Sequence, residues 1–385
     1  TYPAWRDRHG GRIRPGGPVT VQSRCATPDK GQVLAHSALS LGGGDRRPPA
    51  VNPFSLVDLQ ARKVEYLRVS VTDRCNYRCT YCMPAEGAQV VPRLELLNFD
   101  EIATLVRLFV DLGVRKVRLT GGEPLVRRDI VKLVAQLAVI PGVDDLSMTT
   151  NGHLLGELAR PLRQAGLQRL NVSIDTLDAD KFAHVTRQGS LAAVLAGLDA
   201  AARAGFVHTK LNAVALRGLN DDELVALCDF AADRQLILRF IEYMPIGVDA
   251  HWGPDTYLPM ADVRANLAKV WDISPDDAHR LPGGGPARYW TGRRRDNPSR
   301  TVQLGFIAAV SEKFCRLCNR VRLSSTGTLR ECLSAAGSLS LRDLLRAGAS
   351  EATVRAAIAH AMQGKVDAHR FDSAVATWEP MSAIG

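Results

Sequence analysis

The chain has 385 residues, 46% hydrophobic and 23% charged. That balance fits an ordinary globular protein and excludes global disorder, a collagen-like repeat and a disulfide mini-protein. The formal net charge is +9, but residues 1–50 carry +5 of it. The remaining 335 residues are therefore only mildly basic, which argues against a compact polyanion-binding patch.

Taken in order, residues 1–52 are rich in Gly, Pro and Arg and lack sustained periodicity. They read as a disordered basic leader, and their Arg-rich, acid-poor composition also fits a transit peptide. From Tyr66 a β-then-α rhythm begins. Strands are expected at 66–71, 116–120, 145–149, 169–174, 209–216 and 236–243. Helices are expected at 99–112, 128–138, 154–164, 179–186, 191–204 and 221–234. Six such units predict a parallel sheet with helical crossovers, an α/β fold. Ligand sites in such sheets gather at the C-terminal strand ends. Here those ends carry Thr72-Asp73, Gly121-Gly122, Thr150-Asn151, Asp175 and Glu242. After Met244 the rhythm changes. Short β-prone pieces are expected at 288–291 and 301–306, and a helical run at 340–362. No stretch of about 18 apolar residues occurs, so no segment reads as a membrane span.

Eight cysteines are present, and six fall in two odd triplets. Disulfides within a triplet would leave a thiol over, so metal or iron–sulfur ligation in a reducing compartment fits better. Cys75, Cys79 and Cys82 form C-x3-C-x2-C directly after the first strand. Three thiolates can hold three irons of a four-iron cluster and leave the fourth open to a ligand. A zinc site completed by a distant residue, or three buried thiols, are the plainer readings. Cys315, Cys318 and Cys332 form C-x2-C-x13-C, again without an evident fourth ligand. Zinc or a second open iron–sulfur cluster both fit that spacing. Arg316, Arg320, Arg322 and Arg330 interleave with these thiols. They read either as charge balance or as planar forks for phosphate. In an extended segment Arg320 and Arg322 share one face. Cys228 reads as a small buried hydrophobe, and Cys25 has no assigned role.

The first triplet, with an aromatic residue at Tyr81 and Gly121-Gly122-Glu123-Pro124 39 residues after Cys82, resembles the radical S-adenosylmethionine superfamily. The resemblance sharpens over six motifs: TDRCNYRCTYCMP (72–84), RLTGGEPLVR (118–127), TTNG (149–152), LNVSID (170–175), EYMP (242–245) and CRLCNRVRLSSTG (315–327) with Cys332. Together they resemble the GTP 3′,8-cyclase family of molybdenum cofactor biosynthesis, from about Asp58 to Gly385. The resemblance implies a partial (β/α)6 TIM-type barrel at 53–245. It also implies a C-terminal α+β region at 246–385 that carries a second cluster.

It further implies two [4Fe-4S] clusters, on Cys75, Cys79 and Cys82 and on Cys315, Cys318 and Cys332. S-adenosylmethionine would lie beside Tyr81, Gly122, Ser173 and Met244. GTP would meet Arg68, Arg118, Thr149, Lys210, Arg320 and Arg322. The implied chemistry is reductive cleavage of S-adenosylmethionine to a deoxyadenosyl radical, removal of the ribose 3′ hydrogen, and attack of C3′ on guanine C8. The implied partners are an external one-electron donor and the next enzyme of the pathway, with no nucleic acid and no membrane; a homodimer stays open. A cytoplasmic location is expected, or a mitochondrial matrix if the leader is a transit peptide. Other radical enzymes with an auxiliary cluster, such as peptide- or sulfatase-maturation enzymes, usually carry longer, more Cys-rich extensions. A basic zinc-containing nucleic-acid-binding protein is the non-enzyme alternative. One departure stands out. The family ends in a double glycine that enters the active site, whereas this sequence ends in a single glycine, Gly385. The expectation is either one further residue or a shorter tail that impairs catalysis.

Overall fold

A computed structural model describes residues 55–87, 90–246, 252–276, 285–337, 339–369 and 371. The predicted leader, Cys25 and the C-terminal glycine lie outside them. The alternation is as the periodicity predicts. In chain order it runs β1 (Tyr66–Ser70), α1 (Phe99–Asp111), β2 (Lys116–Thr120), α2 (Ile130–Ala138), β3 (Asp145–Thr150) and α3 (Leu155–Gln164). It continues with β4 (Arg169–Ser173), α4 (Ala179–Thr186), α5 (Leu191–Arg203), β5 (Lys210–Ala215), α6 (Leu224–Asp233) and β6 (Ile237–Glu242). The later region gives α7 (Met260–Leu267), β7 (Trp271–Pro275), β8 (Arg288–Arg294) and β9 (Thr301–Ile307). It ends with β10 (Arg320–Leu323), β11 (Thr328–Arg330), β12 (Leu339–Ser340), α8 (Leu341–Arg346) and α9 (Glu351–Ala361).

Local signals explain most boundaries. Helix α1 starts in a capping box: Asn98 Oδ1 accepts from Glu101 N, and Glu101 Oε2 accepts from Asn98 N, both at 2.8 Å. Helix α2 begins two residues later than its apolar spacing suggests, because Asp129 sits at φ 62° and breaks the helical path. The expected run 340–362 is two helices. Gly348, at φ 74°, turns the chain, and Ser350 caps α9 through Thr353 N.

The strands form one sheet in the order β12-β11-β10-β1-β2-β3-β4-β5-β6-β9-β8-β7. Strands β1 to β6 are parallel neighbours. The later region joins both sides of this set: β10 pairs parallel with β1, and β9 parallel with β6. On one face Leu67, Val69, Val117 and Leu119 pack with Leu105, Phe109, Leu133 and Leu137 into a single apolar core. Each such side chain contributes about 1.5–3 kcal/mol by leaving water. Side chains alternate across a strand, so Tyr66, Arg68, Arg118 and Ser147 face the opposite side.

Candidate active site

The loops after β1, β2 and β3 are tied into one rim. Gly122 N donates to Thr72 O, and Glu123 N to Arg74 O, both at 2.8 Å. This close approach needs glycine. A Cβ on Gly122 would stand 2.3 Å from Arg74 O, and one on Gly121, at φ 148°, 2.4 Å from Thr72 O. The Glu123 carboxylate accepts from Leu125 N (3.0 Å), Thr150 Oγ1 (2.7 Å) and Asn151 N (2.6 Å). Burial pushes its pKa up to about 7, against those bonds. Asn151 Nδ2 then donates to Asn76 Oδ1, inside the cysteine loop, at 2.8 Å. The predicted GGEP and TTNG motifs thus hold the first triplet in place.

The three thiols of that triplet are half-buried, with one another and the Asp175 carboxyl as close neighbours. Burial raises Cys75 to about 11 and Cys82 to about 12, and also holds Cys79 well above the usual thiol value; neighbouring thiols and Asp175 add to the last two. Thiolates here need an added positive centre, which iron provides. Among the described residues no three donor side chains converge on a point that one metal ion could occupy. A single tetrahedral zinc requires such convergence, at about 2.3 Å from each sulfur. A cluster offers an iron at each corner and suits donors that stand further apart. Three thiols carried on one loop give a [4Fe-4S] group one ligand for each of three irons. Tyr81 Oη donates to Asp175 Oδ2 at 2.5 Å. Cys79, Tyr81, Ser173 and Asp175 line one small pocket of about 40 Å³.

The second triplet lines a different cavity, of about 160 Å³, shared with Arg68, Arg320, Arg322 and Met244. Met244 therefore stands on this side, while Tyr81 and Ser173 line the other pocket. Burial opposes ionisation of Cys318, but Arg320 and Lys365 outweigh it and bring the thiol down to about 7. Arg320 Nη2 lies 3.7 Å from Cys318 Sγ. Lys365 Nζ donates to Arg320 O at 2.8 Å, and Arg62 Nη1 to Cys315 O at 2.9 Å. This thiol set is cation-rich and fits a cluster that carries net negative charge.

Register explains what lies between the two triplets. Arg330, Arg322, Arg68, Arg118 and Ser147 occupy one row across β11, β10, β1, β2 and β3. Adjacent strands lie about 4.8 Å apart, so these cations crowd one another. Arg118 Nε donates to Ser147 Oγ at 3.2 Å. Arg68 Nε is buried and has no hydrogen-bond partner. Burial, then Arg322, Arg118 and Arg320, hold the Arg68 guanidinium well below its usual value, against a smaller opposing effect of Tyr66. A neighbouring row joins Thr149, Asn171 and Lys210. Lys210 is brought down to about 6 by burial and then by Arg239, Arg169 and Arg118. Buried cations in this number call for a multiply charged anion.

Sequence reasoning missed Arg239. It lies on β6, 4% exposed, with Nε and Nη2 donating to Asn212 Oδ1 at 2.9 and 2.6 Å. The available signal was a lone cation within the otherwise apolar run Ile237-Leu238-Arg239-Phe240-Ile241. A cavity of about 780 Å³ lies away from this chemistry, beside α9, and no thiol lines it.

Comparison with known proteins agrees with this arrangement. Residues 69–231 match the radical SAM superfamily, and residues 236–371 match the Molybdenum Cofactor Synthesis C family. A GTP 3′,8-cyclase of Pelotomaculum thermopropionicum is 45% identical over 329 residues, covering 85% of this chain and 99% of the relative. One from Pseudomonas entomophila is 48% identical over 323 residues, covering 83% and 94%. Among solved structures, Streptococcus suis SuiB bound to its precursor peptide SuiA gives a TM-score of 0.53 at 14% identity, covering 73% of this chain and 64% of that one. SuiB bound to S-adenosylmethionine gives 0.51 at 15% identity, covering 76% and 68%. These two show the shared barrel fold alone. Identity, coverage and the paired family regions leave one assignment: the chain belongs to the GTP 3′,8-cyclase family of radical SAM enzymes.

Proposed function

We propose that the protein converts GTP to (8S)-3′,8-cyclo-7,8-dihydroguanosine 5′-triphosphate, the first step of molybdenum cofactor biosynthesis. The observation that carries this reading is the register row Arg322–Arg68–Arg118, set beside the second thiol triplet on strands that lead to the first. A [4Fe-4S] group on Cys75, Cys79 and Cys82 would supply, with S-adenosylmethionine, one-electron cleavage to a carbon radical. Tyr81, Gly122, Ser173 and Met244 would hold the S-adenosylmethionine. Arg68, Arg118, Lys210, Arg320 and Arg322 would bind the triphosphate and fix the ribose. Thr149 would contact the same nucleotide. Cys315, Cys318 and Cys332 would hold a second cluster facing the guanine end.

In this assignment residues 53–245 form the barrel and 246–385 the auxiliary region. The seven cysteines among the described residues are free thiols, six of them in the two triplets, and the bacterial source of the relatives supports a bacterial cytoplasm. No described helix is long and apolar enough to cross a membrane. The test is anaerobic incubation of iron-loaded protein with GTP, S-adenosylmethionine and dithionite. Expected are 5′-deoxyadenosine and a cyclised nucleotide in equal amounts. Absence of both at full iron loading would overturn the reading.

A further inference from the structure

The first thiol triplet has two sides. Cys79 faces the pocket that holds Tyr81, Ser173 and Asp175. Cys75 instead lines a separate cavity of about 320 Å³ with Arg74, Arg78, Met83 and Val90. Arg74 is exposed, and it also lines a neighbouring cavity of about 480 Å³ with Arg93, Arg127 and Arg128. Arg74 and Arg78 thus share a cavity with Cys75, and Arg74 joins it to a second cavity lined by Arg93, Arg127 and Arg128.

The acids in the same walls, Asp73 and Asp129, offset only part of this charge. Asp73 is buried, and its Oδ2 accepts from Val91 N at 2.6 Å. Asp129 is shared between Lys132 (3.1 Å) and Arg128 (3.7 Å). Arg127 is fixed by the carbonyls of Val71 (2.6 Å) and Leu97 (2.8 Å) and forms no ion pair among the described residues. Arg74 and Arg93 form no ion pair among the described residues, and the Arg128 side chain is 94% exposed. None of these side chains takes part in the nucleotide row.

From this we infer that the Arg74–Arg93–Arg128 face is the docking surface for a small acidic one-electron carrier protein, which reduces the cluster from the Cys75 side. The inference rests on the cyclase reading above. In the step the carrier loses one electron and the cluster held by Cys75, Cys79 and Cys82 gains it; no bond forms or breaks. Charge complementarity selects the partner, because a positive rim speeds encounter with an acidic surface and weakens with salt. Electron-transfer encounters are small, below about 1,200 Å², so two adjoining cavities and their rim suffice.

The double variant Arg93→Glu, Arg128→Glu tests this with an acidic flavodoxin as the probe. Calorimetric titration of oxidised flavodoxin into the iron-loaded protein should give a Kd raised roughly tenfold, with a flatter salt dependence. The neutral pair Arg93→Gln, Arg128→Gln should show a smaller rise in the same direction. Turnover driven by dithionite, which needs no docking, should match the unsubstituted protein. An unchanged flavodoxin Kd overturns the inference. An equal loss of dithionite-driven turnover also overturns it, since the arginines would then serve the site itself. A dimer of the unsubstituted chain that the variant dissociates in sedimentation overturns it in favour of a second copy on this face. If the unsubstituted protein makes no 5′-deoxyadenosine with dithionite, the cyclase reading fails, and the binding titration still decides the docking surface.

Discussion

At the scale of single residues, the site is governed by buried cations crowded into adjacent register rows. Lys210 is the clearest case. Its amine ionises near 6 in the empty protein and near 10.5 when unfolded, so the unfolded chain binds more protons between those values. Stability should rise with pH across that window, and Lys210→Met should raise Tm at pH 7 by more than at pH 10. A bound triphosphate favours the charged amine, so nucleotide binding should take up a proton. Kd for GTP should therefore weaken from pH 7.5 to 9, above the phosphate's own ionisation at about 6. Calorimetry in two buffers of different ionisation enthalpy measures that proton, and Lys210→Met should remove it. Arg320→Ala should weaken GTP binding roughly tenfold or more, since a charged hydrogen bond is worth about 1.5–3 kcal/mol. Its iron content at the first triplet should be unchanged; equal GTP binding would remove Arg320 from the nucleotide site. Arg68, Arg118, Arg320 and Arg322 could be proposed from sequence because they stand in the motifs or at a fixed spacing from them, whereas Lys210 lies outside every motif. Arg239 was not readable, because its importance comes from a neighbour across the sheet, Asn212, that no local pattern reveals.

At the scale of elements, the βα units were legible because each helix and strand carries its own period and cap. What local periodicity could not show was pairing over long sequence distances. Strand β10 is four residues long, yet it lies against β1 and brings Arg322 beside Arg68. Strand β9 does the same at β6. The turn after β2 shows how one element positions another. A methyl group at Gly122 meets backbone, which cannot swing aside as a flexible side chain would. Gly122→Ala should thus displace the Arg74–Cys75 peptide and lower iron at the first triplet, read as iron and sulfide per chain and as visible absorbance. Asn98→Ala makes a useful contrast. Loss of the α1 cap should cost about 1 kcal/mol in denaturant unfolding and leave iron content unaltered, because the cap touches no part of the site.

At the scale of the whole molecule, the barrel strands depend on the region that follows them. β1 and β6 would be open edges if the chain stopped after Ile246, and long apolar edges invite aggregation. The lost neighbours include Val321, Leu323, Leu304 and Phe306, all buried in the common core. A fragment of residues 51–246 should therefore be insoluble or lack a cooperative melting transition. Supplying 247–385 as a second fragment during refolding should restore both, as read by sedimentation and circular dichroism. A soluble 51–246 monomer with a sharp transition would show that the barrel is independent of its extension. The consequence for activity differs from that for folding. Arg68 and Arg322 stand in one register row but on opposite sides of the join, so even a folded fragment would hold only part of the anion site. Reassociated fragments should regain GTP binding together with their melting transition, and neither should return without the other.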